Sequence, residues 1–258
     1  QYDSNVSAID AYKAAEISGS KASTSAKPKN VDPGHWTVIL EPAAFGELFM
    51  YLADHFSARA FDEGSSFLSG ALGSTVLGEN VTIRDDYAHP LDPSMPFDYE
   101  GQPTQRLALI ENGVARNIVT DSYYAKKLNR ENTGHALPAP NAYGPQALSL
   151  VVDPGTKSVD ELIAQTQRGL LISRFWYIRT VDQKQAIVTG MTRDGTFMIE
   201  NGKITGGVRN MRFNQSIIEA LKNCELSNEQ RRTGSYSYSC VVPTAKIEGF
   251  AFSSGTAF

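Results

Sequence analysis

Histidine and cysteine are scarce in this chain, four of one and two of the other in 258 residues. The histidines, His35, His55, His89 and His135, all lie more than six residues apart, so no helical pair of metal ligands can be read from them. Cys224 and Cys240 form no C-x-x-C pair, and two cysteines do not make a disulfide framework for a chain this long. They read as two free thiols in a reducing compartment. Basic excess is missing too. Lys and Arg number 24 against 28 Asp and Glu, a net charge of −4, which removes the electrostatic case for nucleic-acid binding. No apolar run approaches the roughly 20 residues that span a bilayer, so a membrane is not expected either. G-x-S-x-G, the P-loop and G-x-G-x-x-G are all absent. The start, QYDSNVSAIDAYKAAE, has neither a charged n-region nor an apolar h-region, and it lacks Met. It reads as the start of a processed, trimmed or partial chain.

What is present is a 41% hydrophobic composition, enough for a sizeable core. Residues 7–26 carry Ile9, Tyr12, Ala15 and Ile17 at helical spacing, and the linker AKPKNVDPGH follows. WTVIL, residues 36–40, reads as a strand, and Pro42 suits the first turn of a helix. Phe45, Leu48, Phe49, Leu52 and Phe56 then form one apolar stripe, so residues 48–61 (LFMYLADHFSARAF) read as an amphipathic helix ending near Gly64. Further on, Asn112-Gly113 between residues 105–110 and 114–119 signals a hairpin. A meander is expected over residues 186–208, with turns at Arg193-Asp194-Gly195 and Asn201-Gly202. Helices are expected at 121–128, at 158–165 behind a Ser158/Glu161 capping box, and at 215–221. Two closing strands are expected at 235–242 and 245–252, and residues 129–145 read as a long surface or active-site loop. The fold class is therefore α+β, mostly antiparallel sheet with several flanking helices.

Chemistry is harder to place. Asp85, Asp86, His89 and Asp92, in RDDYAHPLD, read either as a cation site or as a solvated acidic loop. His135, in the long loop, reads as either groove-facing or a surface residue.

The blocks WTVILEPAAFGELF, GSSFLSGALG, MPFDYEGQPTQRLALIENGVARNIVTDSYYAKKL, TGHA, DELI, RGLLI, TGMTRDGTFMIENGKI and VRNMRFNQS run in order through nearly the whole chain. Together they resemble the C-terminal half of the TldD/TldE (PmbA) metallopeptidase family. That resemblance implies residues 1–30 as the end of a missing N-terminal domain and residues 31–258 as the PmbA/TldD-like C-terminal domain. In the family, TldD-type subunits carry H-E-x-x-x-H on a helix, two zinc ligands and a general base, with a later Cys. TldE/PmbA-type subunits lack it and pair with a TldD-type subunit. Laid over that motif, Met50 and Tyr51 replace the first ligand and the base, and His55 alone survives. A thioether is a poor zinc ligand and a phenol a poor base at neutral pH. Residues 227–234, where the Cys is expected, hold none. His55 then reads as a packed or groove-lining remnant. His135, Asp98 and Glu100, the last two in DYEG, are the further groove-lining candidates.

The expectation is a non-catalytic PmbA/TldE-like subunit that binds small or unfolded peptides through sheet edges. It holds no metal of its own; zinc belongs to a TldD-type partner. Partners are that subunit or further copies of this chain, and the location is cytoplasmic. The alternatives are an assembly protein built on the peptidase scaffold, or a hydrolase using another constellation such as His55 or His135 with Asp54 and a serine.

Overall fold

Strand β1 (Gly34–Leu40) is where the sheet begins, and its VIL run is buried on both faces. The computed structural model describes residues 6–235 and 238–256. The expected segments beginning at residue 1 or ending at residue 258, and positions 236–237 of the expected strand 235–242, therefore reach outside the described residues. Helix α1 (Ala11–Ser25) precedes β1, capped by the Asp10 side chain, and buries none of its residues. Lys29 bridges to Val208, which ties the linker to the sheet. No helix among the described residues is long and apolar enough to cross a membrane.

The remaining elements are α2 (Pro42–Phe49), α3 (Ala58–Asp62), β2 (Ile83–Asp85), β3 (Leu107–Glu111), β4 (Val114–Ala115), α4 (Ser122–Leu128), β5 (Leu150–Val152) and α5 (Val159–Ala164). They continue with β6 (Arg168–Asp182), β7 (Ile187–Glu200), β8 (Lys203–Gly207), β9 (Met211–Ser216), α6 (Ile217–Lys222), β10 (Cys224–Ser235) and β11 (Tyr238–Gly255). This is the mixed helix-and-sheet class expected, with one sheet of 11 strands among the described residues. Its pairings β1–β6–β7–β9–β11 return to β1, so five strands close a ring. β5, β2, β3 and β4 extend from β11 as a wing, and β10 lies along β11.

Alternation along β1 and β6 separates two cores. Val38, Leu40, Leu170 and Ile172 join the large core with Phe175, Phe213, Phe250 and the α2 side chains. The opposite parity, Ile39 and Leu171, meets Phe197, Ile199 and Leu162 of α5 in a smaller one. Two buried faces explain why these strands read as unbroken apolar runs rather than alternating ones.

The structure revises several expectations. Residues 48–61 are not one α-helix: α2 ends at Phe49, Met50–Phe56 tighten into a 3-10 helix, and extended Ser57 caps a separate α3. Arg193-Asp194-Gly195 is no turn but an irregularity inside continuous β7, with φ of 57° at Asp194 and 131° at Gly195. The two closing strands are one, β11, which runs through Pro243, while β6 and β10 were not anticipated as strands. The Asn112-Gly113 hairpin, the Asn201-Gly202 turn and the Ser158/Glu161 capping box are present as expected.

Candidate functional site

α2 buries Ala44, Phe45, Leu48 and Phe49 and leaves Ala43 and Glu47 on its other side. Gly46 is required because a methyl there would collide with Thr233 and lie 3.2 Å from Cys240 Sγ. The helix is thereby pressed against β10 and β11. Beside it runs β6, which β1 accompanies only over Leu170, Leu171 and Ile172. Beyond Ile172 the edge of β6 away from β7 has no strand partner among the described residues. Between this edge, α2 and the following 3-10 turn lies a groove of about 790 Å³. Glu47, Met50, Tyr51 and Asp54 form one wall, residues 174–180 the other, and Thr233, Gly234 and Tyr238 one end. Its volume falls in the usual range for small-ligand sites, about 300–1,000 Å³.

The edge of β6 is clasped by side chains. The Phe175 N–H donates to Glu47 Oε2 at 2.6 Å, and Arg174 Nη2 reaches Glu47 Oε1 at 3.1 Å. Burial raises the Glu47 carboxyl above its ordinary value, opposed by that N–H and by Arg174. Tyr51 donates its hydroxyl to the Ile178 carbonyl at 2.7 Å, and burial raises its phenol as well. Asp54 opens to solvent at the surface, yet the surrounding walls desolvate its carboxyl and raise it. Between Trp176 and Arg179 the ladder to β7 slips, and Tyr177 takes a φ of 55°. For a bulky side chain this is a strained conformation, costing about 1–3 kcal/mol. The result turns out exposed Trp176 and Tyr177, with Arg193 4.5 Å over the Trp176 ring and Arg179 4.2 Å over the Tyr177 ring.

The residues singled out from the sequence do not assemble. Met50 and Tyr51 line the groove; His55 does not. Residues three apart share a face of a 3-10 helix, so His55 falls in line with buried Leu52 and Phe49. Its Nδ1 accepts the Phe67 N–H at 3.3 Å, and its ring packs 5.0 Å from that of Phe67. Burial pushes its imidazole down to about 4.

His135, Asp98 and Glu100 do not line this groove. The Asp98 carboxylate is occupied by backbone N–H groups of Glu100, Gln102 and Ala136, each at 2.9 Å. Glu100 accepts from the Ser122 hydroxyl at 2.7 Å. Buried His135 meets Thr133 Oγ1 at 2.9 Å through Nδ1, and its Nε2 lies 3.3 Å from Asp85 Oδ1. The long loop thus lies against β2 at Asp85, with the buried His135 Nε2 making no hydrogen bond there among the described residues.

The acidic cluster does not converge on a cation. Asp85 faces His135, Asp86 pairs with Arg106 and Asp92 with Arg232, each of those arginines at 2.6 Å. Among the described residues, no three His, Cys, Asp or Glu side chains are grouped to share a metal ion. Both thiols are free and buried, and burial pushes each up to about 12. These donors do not fit a zinc centre, which needs several deprotonated ligands around one point.

The β6 edge is the part of the candidate site that the sequence did not point to. Its trace in the sequence is RFWYIR, aromatic residues bracketed by Arg174 and Arg179.

Residues 33–254 match the family described as the PmbA/TldA metallopeptidase C-terminal domain. A metalloprotease of Methanothermobacter thermautotrophicus is 29% identical over 227 residues, covering 84% of this chain and 48% of that protein. A metalloprotease PmbA homolog of Haemophilus influenzae is 30% identical over 219 residues, 82% of this chain and 45% of its own length. The chain thus spans about half the length of these curated relatives. The crystal structure of TldE from Thermococcus kodakarensis superposes with a TM-score of 0.86 at 25% identity, covering 95% of this chain and 56% of the other. Taken with the closed ring of strands and the groove beside α2, these matches establish that the chain belongs to the PmbA/TldA metallopeptidase C-terminal domain family.

Proposed function

We propose that this chain is a non-catalytic, peptide-binding subunit of a TldD/TldE-type metallopeptidase assembly. The observation that carries this reading is the groove beside α2. It offers aromatic walls and a strand edge that, among the described residues, is met by the side chains of Glu47 and Tyr51 and by no further strand, and among those residues no set of converging metal donors. An extended peptide added to such an edge is held by its backbone, so many sequences are accepted. In this reading zinc and the activated water belong to a TldD-type partner, and residues 1–30 close a preceding domain. The assembly works in the cytoplasm on small or unfolded peptides.

Elemental analysis of the purified chain, with a peptide-cleavage assay run with and without chelator, tests the assignment. The isolated chain is expected to carry no stoichiometric zinc and to cleave nothing. Adding a TldD-type subunit is expected to give cleavage that chelator abolishes. Stoichiometric zinc and chelator-sensitive cleavage by the isolated chain would overturn it.

A further inference from the structure

We propose that the groove reads the free C-terminal carboxylate of a short extended peptide, and that Arg179 is the group that reads it. The inference rests on the peptide-binding assignment above and adds to it the class of ligand end that is recognised.

Three observations converge on Arg179. The first is its electrostatic situation. Of the arginines near the groove, Arg174 is engaged by Glu47 and Asp194, and Arg193 by Asp194. Arg179 lines the groove, and no carboxylate among the described residues pairs with it. Its Nη1 donates to the Ile178 carbonyl at 2.8 Å, and the guanidinium also meets the Tyr51 hydroxyl. A guanidinium has five N–H donors in a planar fork, so donors remain for a carboxylate.

The second observation is rigidity. The guanidinium lies 4.2 Å from the centre of the Tyr177 ring, and the bond to the Ile178 carbonyl fixes its orientation further. A fork held in this way loses less freedom on binding than a mobile surface arginine does.

The third observation is where the strand edge stops. β1 leaves this edge of β6 after Ile172, the Glu47 carboxylate takes the Phe175 N–H in its place, and the slip between Trp176 and Arg179 then breaks the ladder. Bulges end pairing and redirect side chains. A chain lying in the groove parallel to β6 therefore reaches the end of this edge at Tyr177, beside Arg179. A chain that ends there leaves its carboxylate at the guanidinium, where charge-assisted bidentate hydrogen bonds form. An amide in the same place, or a chain that continues, presents no charge.

Calorimetric titration of the chain with N-acetyl-tetra-alanine as the free acid, and with the same peptide C-terminally amidated, tests this. The acetyl group removes the α-ammonium, so the two probes differ only at the C-terminus. The free acid is expected to bind at least about tenfold more tightly, the scale of a charge-assisted pair. In Arg179→Gln, whose folding is checked by thermal denaturation, the two peptides are expected to agree within about twofold. Equal affinity of acid and amide for the unaltered chain would overturn the carboxylate assignment and leave peptide binding standing. A preference that survives in a folded Arg179→Gln would overturn the role of Arg179. Failure of both peptides to bind the unaltered chain would overturn the peptide-binding assignment itself. If Arg179→Gln does not fold, the acid-against-amide comparison on the unaltered chain decides alone.

Discussion

His55 shows how one residue's placement turns on local helix geometry. An α-helix would put it in line with Tyr51, on the groove; the 3-10 turn puts it in line with Leu52, in the core. Sequence spacing alone could not separate the two, because the apolar stripe fits both. Its burial has a consequence that can be measured. The imidazole titrates at about 4 in the folded chain, against an ordinary value of 6.5. Between those values the unfolded chain binds more protons. Stability is therefore undiminished above about pH 6.5 and falls as the pH drops towards 4. The loss between pH 7 and pH 4.5 amounts to about 2–3 kcal/mol. His55→Asn offers a non-titrating acceptor to the Phe67 N–H and is expected to remove that part of the pH dependence. Urea denaturation of both proteins at the two pH values checks it, and equal pH dependence in the two would refute it.

Individual elements were legible where local chemistry sufficed. WTVIL, the capping box and the Asn-Gly turns each carry their own signal, and each is found in place. β6 was not legible, because both its faces are buried at one end and its alternation slips three times along the other. Asp194-Gly195 imitated a turn, since the same positive φ values serve an irregularity inside a strand. Pro243 imitated a strand break. β11 tolerates it next to the register shift in β10, where the Thr244 N–H goes to Ser227 Oγ instead. The hairpin between β3 and β4 allows a controlled test. Gly113 and Gly64 have nearly the same φ, 76° and 73°, but a Cβ on Gly113 would meet the backbone of Leu77 and Gly78, while one on Gly64 meets nothing. Gly64→Ala is expected to cost about 1 kcal/mol from backbone strain alone, and Gly113→Ala at least about 2 kcal/mol more. Equal losses in chemical denaturation would show that the loop beside β4 yields to the added methyl.

For the molecule as a whole, the family was readable because its blocks keep their order along the chain, whereas the site was not. The groove joins residues near 45, 177 and 234, a proximity that no local pattern reports. This also decides what an engineered metal centre would meet. Met50→His with Tyr51→Glu recreates the letters of H-E-x-x-x-H with His55, yet His55 is packed against Phe67 on the far side. The double variant is expected to retain no stoichiometric zinc after exposure and dialysis, as measured by elemental analysis. One zinc per chain would mean that His55 can leave the core.

β11 is a partner of β1, β5, β9 and β10, and it is the last element of the sheet to leave the ribosome. Until residues beyond 238 emerge, β1 has only three residues of β6 beside it, the ring stays open, and the wing hangs from nothing. Between the emergence of β6 and that of β11 the nascent chain therefore carries uncovered strand edges, the condition in which chains associate with one another instead of folding. Closing contacts of such large sequence separation also fold slowly.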